Sequence, residues 1–165
     1  MKRATSLNNS ITFLGAPILR LLTEDEKKES ETLLTCALLP NACFYFKAII
    51  SGQLYHSSAY MATRKMRRNN CTVLLNNGNI VQILAFCIVS TFAELPRNIV
   101  FCSRFDISPL PYAVQLPLDK MAAGHIRMAT PGDGRHIVAV DVISIVQKCI
   151  ITLEDEACFV CIMPN

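Results

Sequence analysis

With 165 residues, 52% of them apolar and 18% charged, the chain is long enough to bury a core without disulfide or metal staples and too apolar to stay disordered. A net charge of only +3 excludes a globally cationic surface, so any electrostatic function must be local. The charge is indeed uneven: residues 41–70 hold five cations and no acid, whereas residues 21–40 hold five acids against two lysines, a sum of −3.

The first twelve residues begin with Lys2 and Arg3 and turn polar at once, so they lack the apolar centre of a secretory signal and are expected to be a flexible end. The remainder, 13–165, reads as one β-rich domain. Thr23, followed by Glu24, Asp25 and Glu26, has the spacing of a helix capping box with acids in the first turn, where the dipole favours them. Leu33, Leu34 and Leu38 then recur at helical spacing, which predicts a helix over about 23–38, stopped before Pro40, with one apolar face against the domain.

From Cys43 onward short runs rich in Ile, Val, Phe and Tyr alternate with Asn, Gly and Pro, the pattern of strands and turns. Strands are predicted at Phe44 to Ile50, Cys71 to Leu75, Ile80 to Val89, Asn98 to Phe101, His136 to Val140, Cys149 to Leu153 and Cys158 to Met163. Asn76-Asn77-Gly78-Asn79 predicts a tight hairpin, because Asn-Gly supplies consecutive residues able to take positive φ. Ser108 to Gly134, with four prolines, reads as loop with a helical turn near Leu118 to Ala123, and Val140 to Ile145 as a turn. The run from Ile80 to Val89 falls well short of a bilayer span, so no membrane helix is expected and the chain is expected to stay inside the cell.

The eight cysteines lie mainly in apolar runs and read as buried thiols. Cys158 and Cys161 have the spacing of half a zinc or redox motif, but no second pair matches, and on a strand their sulfurs would point to opposite faces. His56, His125 and His136 lie far apart with no nucleophile motif around them; His56 is expected to hydrogen-bond at a strand end and His136 to open a strand. Gly132-Asp133-Gly134 lacks the strand, helix and lysine of a phosphate loop and reads as a turn. No catalytic group, metal or cofactor is expected.

The densest charge, Arg64-Lys65-Met66-Arg67-Arg68, is followed by Asn69 and Asn70 and preceded by Tyr55, His56 and Tyr60. Arginine and asparagine can contact phosphates and bases, and a nearby tyrosine can stack. The candidate contact residues are therefore Tyr55, His56, Tyr60, Arg64, Lys65, Arg67, Arg68, Asn69 and Asn70. The competing reading is a solvated connection between strands, which basic residues also make.

The words GQLYHSSAY, RRNNCTVLLNNG and the closing HIVAVDVISIVQKCIITLEDEACFVCIMPN, together with the lead-in FLGAPILRLLTEDEKK, resemble an uncharacterised β-rich module near the C-terminal end of transposon-derived animal proteins of the CACTA-like transposase setting. The resemblance covers most of the chain from Phe13; Cys71 departs from it where an aromatic residue stands in the module. It implies a nuclear setting and a supporting role, with the metal-binding nuclease core elsewhere. The fold expected is mainly β, a small SH3-like or BAH-like antiparallel barrel or roll with an N-terminal helix. The leading expectation for function is a non-catalytic interaction module engaging a protein or chromatin partner. Direct nucleic-acid binding through the basic run is the alternative, and an enzyme with dispersed residues is the third reading.

Overall fold

The computed structural model describes residues 4–8, 10–64, 70–92, 95–108, 126–131, 136–154 and 157–162. In chain order the strands are β1 (Ala4–Asn8), β2 (Ile11–Leu14) and β3 (Ile18–Leu21), followed by helix α1 (Glu24–Leu34). Next come β4 (Leu38–Tyr45), β5 (Lys47–Ile50) and β6 (Gln53–His56), then helix α2 (Ser58–Arg64). The rest is strand: β7 (Thr72–Leu75), β8 (Ile80–Thr91), β9 (Arg97–Ser108), β10 (Ile126–Pro131), β11 (Ile137–Asp141), β12 (Ile145–Glu154) and β13 (Ala157–Ile162). A 3-10 turn, Val142–Ser144, joins β11 to β12. The fold is mainly β and antiparallel, as expected.

The long strands β8 and β9 pair from Val81↔Arg104 to Val89↔Arg97 and organise three cores. Alternation sends Val81, Ile83 and Phe86 of β8, with Val100 and Cys102 of β9, to one side. There they meet Ile11, Phe13, Ala48, Ile50 and Tyr55 of a four-stranded sheet of order β1-β2-β5-β6. The register shift between Ile83 and Ala85 is a bulge that resets the phase. Ala85, Cys87 and Val89 therefore face the other side, packing with Phe44, Ile99 and Phe101 in a second core. On that same face of β9, two residues further from Ser103, Phe105 and Ile107 enter a third core with Ile80, Cys149, Val160 and Ile162.

The third core fills a closed circuit. β8 pairs with β9, β9 with β10, β10 with β13, β13 with β12, β12 with β7, and β7 returns to β8. Six strands thus form a small ring whose interior is apolar. β10 and β11 both run antiparallel to β9, from Met128↔Ser108 to Asp141↔Ile99, so β10 falls inside the stretch that its prolines mark as loop. The expected helical turn near 118–123 lies outside the described residues.

Helix α1 begins as its capping box requires. Thr23 Oγ1 accepts from the Glu26 amide at 3.2 Å, and the Thr23 amide donates to Glu26 Oε2 at 2.9 Å. The same carboxylate takes both ends of the Arg20 guanidinium, at 2.7 and 2.8 Å, while that guanidinium lies 3.6 Å over the Phe44 ring. Burial by itself would raise the Glu26 carboxyl, but Arg20 and Thr23 outweigh it and hold it below the usual range.

Four expectations are corrected here. The helix ends at Leu34, because Thr35 takes the left-handed conformation with φ 53°, and Leu38 opens β4 instead of continuing the helix. Pro40 lies within β4, inside the register shift between Leu38 and Ala42, where its missing amide costs no ladder bond. The leucine face is met only in part: Leu34 packs half-buried on the second core but Leu33 is exposed, and the buried residues of the helix are Glu26 and Ser30, whose Oγ donates back to the Glu26 carbonyl at 2.6 Å. The end expected to be flexible holds β1 and the start of β2, paired Ala4↔Leu14 to Asn8↔Ile11, with Ile11 in the first core.

The run 44–50 is two strands, and β5 turns into β6 through Ser51 (φ 50°) and Gly52 (φ 79°) between the paired Ile50 and Gln53. This is a two-residue turn with two positive φ angles, of the type I′ kind. At Asn76–Asn79 the hairpin forms as expected but by another turn: only Gly78 has positive φ, 84°, and its amide donates to the Leu75 carbonyl while the Leu75 amide donates to Asn79. That is a type I turn closed by a glycine bulge.

Two tests follow from these local structures. Ser51→Asn should raise stability by roughly 0.5 kcal/mol and Gly52→Ala should lower it by about 1 kcal/mol, because asparagine tolerates the left-handed region and alanine does not. Chemical denaturation reads both, and an opposite order would refute the turn assignment. Glu26→Gln should cost roughly 1 kcal/mol at neutral pH. With the folded carboxyl below its unfolded value of 4.5, that difference should be full above about pH 4.5 and disappear as pH falls through the folded value.

Candidate functional site

The expected contact residues converge at one end of the four-stranded sheet. Tyr55 and His56 are the last two residues of β6, and cross-strand register sets Ala48 opposite Tyr55 and Lys47 opposite His56. Alternation sends Tyr55 into the first core, where its ring is 2% exposed, and leaves His56 on the Lys47 side. The chain then enters α2: Ser57 Oγ accepts from the Tyr60 amide at 3.1 Å, and the Ser57 carbonyl from the Met61 amide at 3.1 Å. This capping swings the Tyr60 ring over His56, with centroids 5.0 Å apart and planes 27° from parallel.

Asn70 closes the site from the other side. Its carbonyl accepts from the His56 amide at 3.1 Å, and its side-chain nitrogen lies 3.4 Å from His56 Nδ1. An amide nitrogen can only donate, so this contact needs an unprotonated Nδ1. Burial, with Lys47 and Lys148 adding repulsion, holds His56 below its usual range, which suits a neutral ring.

Three cations from separate elements gather on the two tyrosines. Lys47 Nζ lies 5.0 Å and the Arg64 guanidinium 5.7 Å from the Tyr60 centroid, and Lys148 Nζ lies 5.2 Å from the Tyr55 centroid. Burial lowers the Lys148 ammonium and raises the Tyr55 hydroxyl, which lies 3.3 Å from Gln53 Oε1 as donor. Among the described residues no carboxylate forms an ion pair with Lys47, Arg64 or Lys148. Lys65, Arg67, Arg68 and Asn69 lie outside the described residues.

Of the nine expected residues, Tyr55, His56, Tyr60, Arg64 and Asn70 thus meet in one place; Tyr55 is buried, and Tyr60 is half-buried with His56 stacked on its ring. Lys47 and Lys148 were not legible as site residues. Lys47 could be found from the β5–β6 hairpin, which places it opposite His56; Lys148 comes from β12 and no local signal marks it.

The remaining chemistry-bearing side chains are scattered. His136 is exposed, and the rings of His56 and His136 have no hydrogen bond to a serine or cysteine among the described residues. Burial raises the thiols of Cys87, Cys102, Cys71 and Cys158, which keeps them protonated and unreactive. Cys158 is buried and Cys161 half-buried on alternate faces of β13, as the spacing on a strand requires. Among the described residues no three metal-ligating side chains cluster. A cleft of about 280 Å³ between α1, β11 and the Asn77 hairpin carries Glu29, Arg104 and Asp141 on an apolar floor. No family model, curated protein or solved structure matches the chain.

The depressed His56 gives a pH test. Its folded value lies below the unfolded 6.5, so the unfolded chain binds the proton first and stability should fall as pH drops from about 6.5 through the folded value. His56→Gln should flatten that part of the profile, measured as thermal midpoint against pH. An unchanged slope in the variant would show that His56 is not the titrating group.

Proposed function

We propose that the chain is a non-catalytic binding module that engages nucleic acid through the face built by Lys47, Arg64, Lys148, His56 and Tyr60, continued in sequence by Lys65, Arg67 and Arg68. The observation that carries this reading is the convergence of three cations, from β5, α2 and β12, with no carboxylate neutralising them among the described residues. Structural lysines on a β surface are commonly paired across strands with acids. Here the cross-strand partners of Lys47 are Leu14 and His56, neither of them an acid, and its ammonium lies 5.0 Å from the Tyr60 ring centroid. Such a concentration of unpaired charge attracts phosphates and binds them in a salt-dependent way.

The resemblance to a module of transposon-derived proteins supports the same direction, since a nuclear supporting role brings the chain to nucleic acid. A protein partner is the second reading: among the described residues Ile18, Leu19 and Leu21 of β3, Phe92 and Leu95 between β8 and β9, and Ile143, Val146 and Ile150 are exposed apolar side chains.

The double variant Lys47→Ala with Lys148→Ala tests the reading. Retention on duplex DNA in low salt should weaken about tenfold, and the salt dependence should lose about two phosphate contacts. Unaltered retention in a variant with an unaltered melting temperature would remove the proposal.

A further inference from the structure

Resting on the nucleic-acid reading, the chemistry of the same face says which part of the polymer it meets. Groups able to read a base are aromatic faces, amides and arginine forks. The Tyr55 ring is 2% exposed and lies beneath Lys148. The His56 ring is 4% exposed and stacked on Tyr60. The Tyr60 ring has His56 at 5.0 Å and, in addition, two cations within 6 Å, Lys47 at 5.0 Å and Arg64 at 5.7 Å. The Asn70 amide is spent on His56 Nδ1 and its carbonyl on the His56 amide.

We infer that the described part of this face, Lys47, Arg64, Lys148, His56 and Tyr60, grips the sugar–phosphate backbone without stacking on the bases, its tyrosines holding cations in place instead. The rings lower the cost of ordering long, flexible lysine and arginine side chains, because each cation already rests against an aromatic quadrupole before the ligand arrives. What the described part of this face offers the ligand is the ammonium groups of Lys47 and Lys148 and the guanidinium of Arg64, which bind phosphate, while its rings are engaged with one another and with these cations. Tyr60 is in this sense a positioning residue: it acts through Lys47 and Arg64.

The test compares two ligands on the full chain by fluorescence anisotropy: a mixed-sequence oligonucleotide and an abasic sugar–phosphate chain of equal length. The dissociation constants should agree within about threefold and weaken in parallel as salt rises. Stacking is worth about tenfold or more per base, so a base-bearing chain that binds tenfold tighter overturns the inference while leaving nucleic-acid binding intact. Binding of neither ligand in low salt overturns the nucleic-acid reading itself. Tyr60→Leu should weaken both ligands equally, by about three- to tenfold, and Tyr60→Phe should restore them, because phenylalanine keeps the ring that the cations rest on. A loss confined to the base-bearing chain would again overturn the inference.

Discussion

The ladder between β8 and β9 is the constraint on which the molecule depends. Each strand is twelve residues long, about twice the usual strand, and the pair presents two faces to three cores. Because side chains alternate, one run of Ile, Val, Phe and Cys serves the four-stranded sheet on one side. Its alternate residues serve the Phe44–Phe101 cluster and the ring interior on the other. Strands buried on both faces are expected to be continuously apolar, and Ile80 to Val89 is so except for Gln82. Gln82 stands opposite Ser103, between the second and third cores, and its amide donates to Cys71 Sγ at 3.7 Å. A polar pair there marks where one core stops and the next begins.

The binding face follows from this scaffold at one remove. Packing of β5 and β6 on the first core fixes Tyr55 on one face of the sheet, which sets Lys47 and His56 as neighbours on the other, where Tyr60 stacks on His56. Lys148 arrives from β12, whose position is set by pairing with β7 at Val73↔Lys148. The three cations are thus placed by sheet register and by the cap of α2, while Lys65, Arg67 and Arg68 of the densest basic run lie outside the described residues.

What could be read from the residues alone divides along local and non-local lines. The start of α1 was legible because Thr23 and Glu26 satisfy each other's amides within one turn. Its end was not, since Leu34 and Leu38 keep helical spacing although they lie in different elements; the left-handed Thr35 decides, and nothing in a threonine announces it. Asn77-Gly78 marked a hairpin correctly and its turn type wrongly. Ser51-Gly52, the true two-residue turn, directly follows the run Phe44 to Ile50, and it was missed because the short polar-edged Gln53–His56 does not read as a returning strand. Five of the site residues lie within sixteen positions of each other and were found together. Lys148, placed by a pairing between distant strands, was not.

The closed circuit of six strands imposes a condition that open sheets lack. Going once around a ring, the register offsets between neighbours must sum to a fixed value, so no strand can slide against one neighbour alone. A one-residue slip of β13 against β12 would bring Cys161 inward and turn Cys158 out, and it would also require an equal and opposite slip against β10. Register here is therefore a property of the whole circumference, and an error in it has no local form.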